Sequence, residues 1–330
     1  MRVPRLRDAY PVVILAIAVL AMLVLPSFSS SSTVSVLNFY DVFQIFSNYG
    51  LIALALGLSI VVGEYDLSTA GAYAFGGVVA IKLGESNPLL GLAAALGVGL
   101  VVGLLQGGLV ARLKMSAVPV TLGGYLILFG ATHVVTHSKT LSYENFDIGA
   151  QLDQPILSVF SLRSLITLAV FVVIGLVLQF SRLGPQVRAV GDDRRASRTA
   201  GVSVPRVLIT VLIISGVCSA AAGALTSYSL ASANPDLGLT PMIFGTIAAL
   251  LGGVSLAGGR GSVAGIGAGV LSYAVLQETL AMMAAPDYVS DLVTGSLLLI
   301  VTALAAPDLR TVLQSLRTRV RTGRGRRSTA

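Results

Sequence analysis

Apolar runs of about 15–25 residues recur along this chain from end to end, and each can cross a hydrocarbon core of about 30 Å as an α-helix. The polar stretches between them are short, so no separate soluble domain fits. Only 11% of the 330 residues are charged, and 55% are hydrophobic. A soluble domain carries about a quarter charged residues. The strand-like alternation of a membrane β-barrel is missing. The expected fold is therefore an all-α polytopic membrane protein with about ten transmembrane helices. The expected spans are 11–26, 43–62, 67–83, 88–111, 117–136, 160–180, 207–228, 239–256, 261–282 and 288–306. They form one transmembrane domain, 1–306, followed by a basic tail, 307–330.

Orientation follows from the basic residues of the short loops. With both termini cytoplasmic, only Lys82, Lys139 and Arg163 of the 22 Lys and Arg lie outside. The other nineteen lie inside: Arg2, Arg5 and Arg7, Arg112 and Lys114, six in 182–206, Arg260, and seven in the tail. One missed span would invert every later loop and destroy this asymmetry. The net charge of +7 then reads as a positive-inside anchor at anionic lipid and not as a nucleic-acid surface. The first span has two readings: a retained helix, which is preferred, or a signal peptide, since Arg2, Arg5 and Arg7 precede a short apolar core. A single cysteine, Cys218, excludes an intramolecular disulfide and reads as a small buried hydrophobe.

Two breaks interrupt the apolar rhythm. One is GEYDLSTAG, Gly63–Gly71; the other is GGVSLAGGRGS, Gly252–Ser262. Gly-interrupted helices in corresponding parts of two halves point to a transporter's solute path; the alternative is a pair of ordinary hairpins. Acidic groups at membrane depth are costly unless paired or wet, which draws Glu64 and Asp66 towards function. Candidate path residues are Glu64, Asp66, Ser68, Gly252, Gly253 and Ser255, with Thr121 and Gly123 from the fifth span. Gly99, Gly103 and Gly107, like Gly261, Gly265 and Gly269, recur every four residues and predict close helix packing. Gln106 reads as an interhelical hydrogen bond, His133 as an interfacial histidine, and Glu278 as a solvated group near Asp287 and Asp291. The loop 137–154 carries Glu144, Asp147 and Asp153 against Lys139, and is either solvated or a docking rim.

The longest charged stretch, 182–206, holds six arginines and two aspartates. Within GDDRRASRTAGV, Gly191–Val202, Asp192 predicts an N-cap and Asp193 complements the helix dipole. Arg195 and Ala196 favour helix, and Gly201 suits a left-handed C′ residue. The expectation is a helix of about two turns over 192–200, with Ala196 and Ala200 forming a face without bulk. Such a short helix is marginal alone. It either inserts into a cleft on a partner protein or rests on lipid headgroups. No phosphate loop, H-E-x-x-H, C-x-x-C or plausible G-x-S-x-G is present, so no enzyme active site is expected.

At these residues the chain resembles a family. GPQVRAVGDDRRASRTAGVSVPRV is similar to the cytoplasmic coupling region of ABC-importer permeases of the ribose and monosaccharide type. GEYDLSTAGAYAFGG, GLLQGGLVARLKMSAVPVTLGGYLILFGATHVVT and IAALLGGVSLAGGRGSVAGIGAGVL resemble that family's early, middle and late segments, in the right order. The chain departs from the pattern at Glu64–Tyr65 and at Asp192. The resemblance implies a permease in the bacterial inner membrane, paired with a second permease copy. It implies cytoplasmic ATPase chains that carry ATP and Mg, and an extracytoplasmic substrate-binding protein. No cofactor is expected on this chain, and no nucleic-acid partner. Gly191, Asp192, Asp193, Arg195, Ala196, Ala200 and Gly201 would couple it to the ATPase. The competing functional reading is a secondary transporter driven by ion gradients, which needs intramembrane ionisable groups such as Glu64 and Asp66.

Overall fold

The computed structural model describes residues 10–24 and 34–305. The basic tail, the N-terminal arginines and the region after the first span lie outside the described residues. Thirteen helices are described: α1 Tyr10–Val24, α2 Val36–Val61, α3 Ser68–Leu83, α4 Pro88–Ala111, α5 Ala117–Thr136, α6 Phe146–Asp153, α7 Leu162–Phe180, α8 Leu183–Asp192, α9 Arg194–Thr199, α10 Val204–Ser229, α11 Thr240–Leu251, α12 Val263–Met282 and α13 Asp287–Ala305. Six of them, α2, α4, α5, α7, α10 and α12, are long and apolar enough to cross a membrane.

Local chemistry sets many of the helix ends. Asn87 caps α4 by accepting from the Leu89 N–H, with Pro88 in the first turn. Ser161 and Ser164 cap α7 reciprocally, and Ser262 accepts from the Gly265 N–H to start α12. Two-residue strands, β1 Leu141–Ser142 and β2 Ser232–Ala233, pair antiparallel and tie the α5–α6 connection to the α10–α11 connection. Tyr143 donates to the Gly84 carbonyl at 2.8 Å, so the α3–α4 loop lies at the same end. The segments 63–67, 181–203 and 252–262 gather at the other end.

The core is built on α2 and α10. From Gly50 to Val62 every residue of α2 and its C-cap is buried. This helix packs against α7, α10, α11 and α12, while α10 lies across α3 and α4. The helical glycines Gly99, Gly103, Gly107, Gly265 and Gly269 serve close approach, as expected, whereas Gly261 lies in the loop before α12 with φ +149°. A Cβ on Gly99 would sit 2.4 Å from the Gly216 carbonyl oxygen, and one on Gly265 would sit 2.5 Å from that of Gly252. Exposed aliphatic side chains on α4, α5 and α7, among them Leu105, Ile127 and Val173, suit a bundle whose outer surface meets lipid.

Four expectations need correction. The second span starts at Val36 instead of 43, because Ser35 and Asn38 form a capping box seven residues earlier. The helix α6 stands in what was read as a plain loop. The charged stretch holds two helices, not one: Leu183, Val187 and Val190 form an apolar stripe at helical spacing, and burial of Val187 and Val190 holds α8 on the bundle. Glu278 is buried, 6% exposed, and accepts from Asn38 at 2.8 Å; it is not a solvated rim group. By contrast, Gln106 does make the interhelical bond expected of it.

Candidate functional site

The first break opens where α2 ends. Gly63 takes a left-handed backbone, φ +84°, and the chain re-enters helix at Ser68. Between them Asp66 is 2% exposed. Its Oδ1 accepts from the Ser68 amide at 3.1 Å and from the Ser68 hydroxyl at 2.6 Å. Its Oδ2 accepts from Ser215 of α10 at 2.6 Å. Ser68 also reaches Gln106 of α4 at 2.9 Å. Thr121 of α5 accepts from the Leu67 N–H at 3.1 Å, and Tyr65 donates to Thr246 of α11 at 2.9 Å. Among the described residues no basic side chain pairs with Asp66. Its carboxyl oxygens meet hydroxyl and amide groups alone, and the break is tied at once to α4, α5, α10 and α11.

The second break is a run of tight turns. Gly253, Gly258 and Gly259 have φ of +81°, +81° and +72°. Ser255 bonds within its own loop: its N–H donates to the Arg260 carbonyl, and its carbonyl accepts from Gly258. From this loop the Gly259 N–H donates to the Val61 carbonyl, the last of α2, at 2.8 Å. Gly191 closes the junction. A Cβ there would stand 1.9 Å from the Val61 oxygen and 2.6 Å from the Gly259 nitrogen. Beside it, Arg194 Nη2 lies 2.6 Å from Glu64 Oε1 and 3.3 Å from the Gly63 carbonyl oxygen. The two breaks and the charged segment therefore meet backbone on backbone. A cleft of about 200 Å³ opens beside them, lined by Gly63, Glu64, Tyr65, Ser116, Val118 and Leu256 among others.

Asp193, not Asp192, caps the short helix. Its carboxylate accepts from the Arg195 and Ala196 amides, while Asp192 completes α8 and packs its Cβ side against Gly259. The correction has a simple cause: α8 runs on to Asp192, so only the next residue has the extended backbone a cap needs. Gly201 has φ +81°, as expected of a C′ residue. Ser197 is buried and seats α9; Arg195, Ala196, Arg198 and Ala200 are exposed.

Of the residues singled out from sequence, Glu64, Asp66, Ser68 and Thr121 come together at the first break. Gly123 sits on α5 with open space where a Cβ would go, whereas Gly252 is spent on packing against Gly265 and Ile266. Gly253 and Ser255 stay within the second break. Sequence reasoning missed Ser215, Arg194 and Thr246 as partners of the first break. A serine in an apolar run reads as neutral, and an arginine in a basic loop carries no sign of which acid it meets. Among the described residues no cluster of three or more His, Cys, Asp or Glu could hold a metal ion.

A second polar cluster lies at the opposite end. Arg163 of α7, 4% exposed, donates to Asp153 at 2.9 Å and to Gln44 at 3.1 Å, and also bonds Asn48. Asp153 in turn accepts from Ser229 of α10. Asp153, read from sequence as part of an acidic loop, is the partly exposed half of an ion pair with the buried Arg163, and the cluster joins α2, α6, α7 and α10. Removing Arg163 takes away the donor that Asp153, Gln44 and Asn48 share. Arg163→Ala is expected to cost about 1–3 kcal/mol, read as a lowered Tm of the purified protein; an unchanged Tm would show the pair to be dispensable.

A family model described as branched-chain amino acid transport system, permease component, matches residues 38–302. The chain is 30% identical over 295 residues to the ribose import permease protein RbsC of Escherichia coli, covering 86% of this chain and 90% of that protein. It is 30% identical over 260 residues to the L-arabinose ABC transporter permease protein AraH of Azospirillum brasilense, covering 76% and 74%. It is 29% identical over 311 residues to the fructose import permease protein FrcC of Rhizobium meliloti, covering 90% and 84%. No solved structure matches the chain.

Proposed function

The chain belongs to the family described as branched-chain amino acid transport system, permease component, and from that membership we propose that it is the membrane-spanning subunit of an ATP-driven importer in the bacterial inner membrane, with a monosaccharide as its solute. The similarity to permeases named for ribose, arabinose and fructose supports the sugar. In this reading α1–α5, α7 and α10–α13 make ten crossings with both termini cytoplasmic. Their alternation puts Arg112, Lys114, the arginines of 182–206 and Arg260 on one side, and Lys82, Lys139 and Arg163 on the other. A second permease copy completes the path. ATP and Mg sit on separate ATPase chains, and an extracytoplasmic binding protein delivers the sugar.

The observation that carries the mechanism is the junction of Val61, Gly191 and Gly259. The exposed side of α9 is free for an ATPase, while α8, the Gly191 backbone and Arg194 rest on both breaks. Closure of the ATPase pair moves α9; the rigid stack at Gly191 passes that movement to the ends of α2 and α11; and the Asp66 node spreads it to α4, α5 and α10. A two-state membrane path biased by nucleotide on one side and loaded binding protein on the other follows.

The test is reconstitution in vesicles with the ATPase and binding protein. ATP-dependent uptake of a labelled pentose or hexose is expected; ion-driven uptake by the chain alone would overturn the reading. Replacing Ala196 and Ala200 together by Phe is expected to leave membrane insertion intact and abolish ATPase co-purification. Survival of that association would place the docking face elsewhere.

A further inference from the structure

Gly191 touches the first break by stacking, and stacked backbones transmit a push but not a pull. Gly191 of α8 packs directly on the backbones of Val61 and Gly259, so α8 driven inwards must displace the end of α2. If α8 and α9 move outwards, that contact simply opens. Return of the break to its starting position needs a bond under tension.

One contact qualifies. Arg194 opens α9, immediately after the Asp193 cap, in a turn held by two hydrogen bonds from the Arg195 and Ala196 amides to that carboxylate. Its guanidinium reaches Glu64 Oε1 at 2.6 Å, across 130 residues of sequence, and also the Gly63 carbonyl. The Glu64 side chain is only 10% exposed and stands two residues from Asp66. A charge-assisted bond of this length thus joins the docking helix to the chain that carries the buried carboxylate. Arg112 and Lys114, which flank the same cleft in sequence, make no ion pair among the described residues.

We propose that the Glu64–Arg194 ion pair is the tension-bearing link between α9 and the first break, and that Glu64 is a positioning residue and not a contact of the solute. The proposal rests on the reading of this chain as an importer subunit. The pair is not a stability device: the Arg194 side chain is 40% exposed, and water screens such a pair enough to keep its share of folding stability small. Its loss should therefore appear in coupling, with assembly spared.

The experiment uses the complete reconstituted complex and reads four quantities: uptake, ATP hydrolysis, the sugar concentration for half-maximal uptake, and Tm. Glu64→Gln and Arg194→Gln are each expected to lower sugar imported per ATP hydrolysed roughly tenfold. Tm, ATPase co-purification and half-maximal sugar concentration should stay as in the unmodified complex. Exchanging the charges, Glu64→Arg with Arg194→Glu, should restore most of the ratio. An unchanged ratio in the single variants overturns the proposal. So does a shift in half-maximal sugar concentration, which would make Glu64 a solute contact, and so does failure of the exchanged pair to recover. A lowered Tm in the single variants would make the pair structural and also overturn it. If the unmodified complex shows no ATP-dependent uptake, it is the importer reading that fails, before any variant is compared.

Discussion

Replacing Gly191 by valine is expected to abolish uptake while leaving the helices outside the junction in place. The added Cβ would fall 1.9 Å from the Val61 oxygen, 2.6 Å from the Gly259 nitrogen and 3.0 Å from the Val61 carbonyl carbon. All three are backbone atoms, so no rotamer change can clear them. Only withdrawal of α8 and α9 from Val61 and Gly259 can do so, which pulls Arg194 away from Glu64. Overpacking of this kind costs about 1–3 kcal/mol or more, all of it concentrated where the docking helix meets both breaks. Uptake in vesicles should drop by at least about tenfold, a coupling change of ordinary size, and Gly191→Ala should already show most of the loss. Uptake at the unmodified rate in Gly191→Val would mean that the junction carries no force.

The second large effect is expected at Asp66. Asp66→Ala removes the acceptor for the Ser68 amide and for the Ser215 hydroxyl, both in a buried setting. Each orphaned donor costs about 1–3 kcal/mol, so the first break should lose its registry with α10. Uptake should fall steeply, with a lower Tm. Asp66→Asn keeps one carbonyl oxygen, and its amide can donate to Ser215, so its Tm should lie close to that of the unmodified protein. Comparing its uptake then separates a need for the charge from a need for the hydrogen bonds. If Asp66→Ala leaves uptake rate and sugar preference unchanged, the first break is only a hairpin.

The glycine repeats show how far the sequence could be read. Gly99, Gly103 and Gly265 announce that some backbone comes close, because a missing side chain on a helix face has few other uses. They do not say whose. Gly191 was singled out only through the family resemblance, because its partners, Val61 and Gly259, lie far away along the chain. The apolar stripe of Leu183, Val187 and Val190 was legible at helical spacing, yet the neighbouring charge of Arg182, Arg188, Asp192 and Asp193 hid it. That single oversight moved the cap from Asp193 to Asp192. Glu278 and Asp153 were taken as solvated because both lie near ends of spans. Glu278 is buried against Asn38 and Asp153 is paired with Arg163 instead, and nothing local in the sequence pairs residues 240 or 10 positions apart.

What the sequence by itself determined was the set of apolar helices, the two Gly-rich breaks and the cap chemistry at several helix ends. These are local properties: they depend on run length, on period 3.6, and on which residue can accept from a free N–H or adopt a positive φ. What only the tertiary structure decided was that both breaks and the charged segment share one junction, that Asp66 gathers Ser68 and Ser215, and that Arg194 finds Glu64. The Arg194–Glu64 and Asp66–Ser215 pairings join groups 130 and 149 residues apart. They arise because a buried carboxylate must find donors and because close-packed helices leave few places where a backbone without side chains can pass.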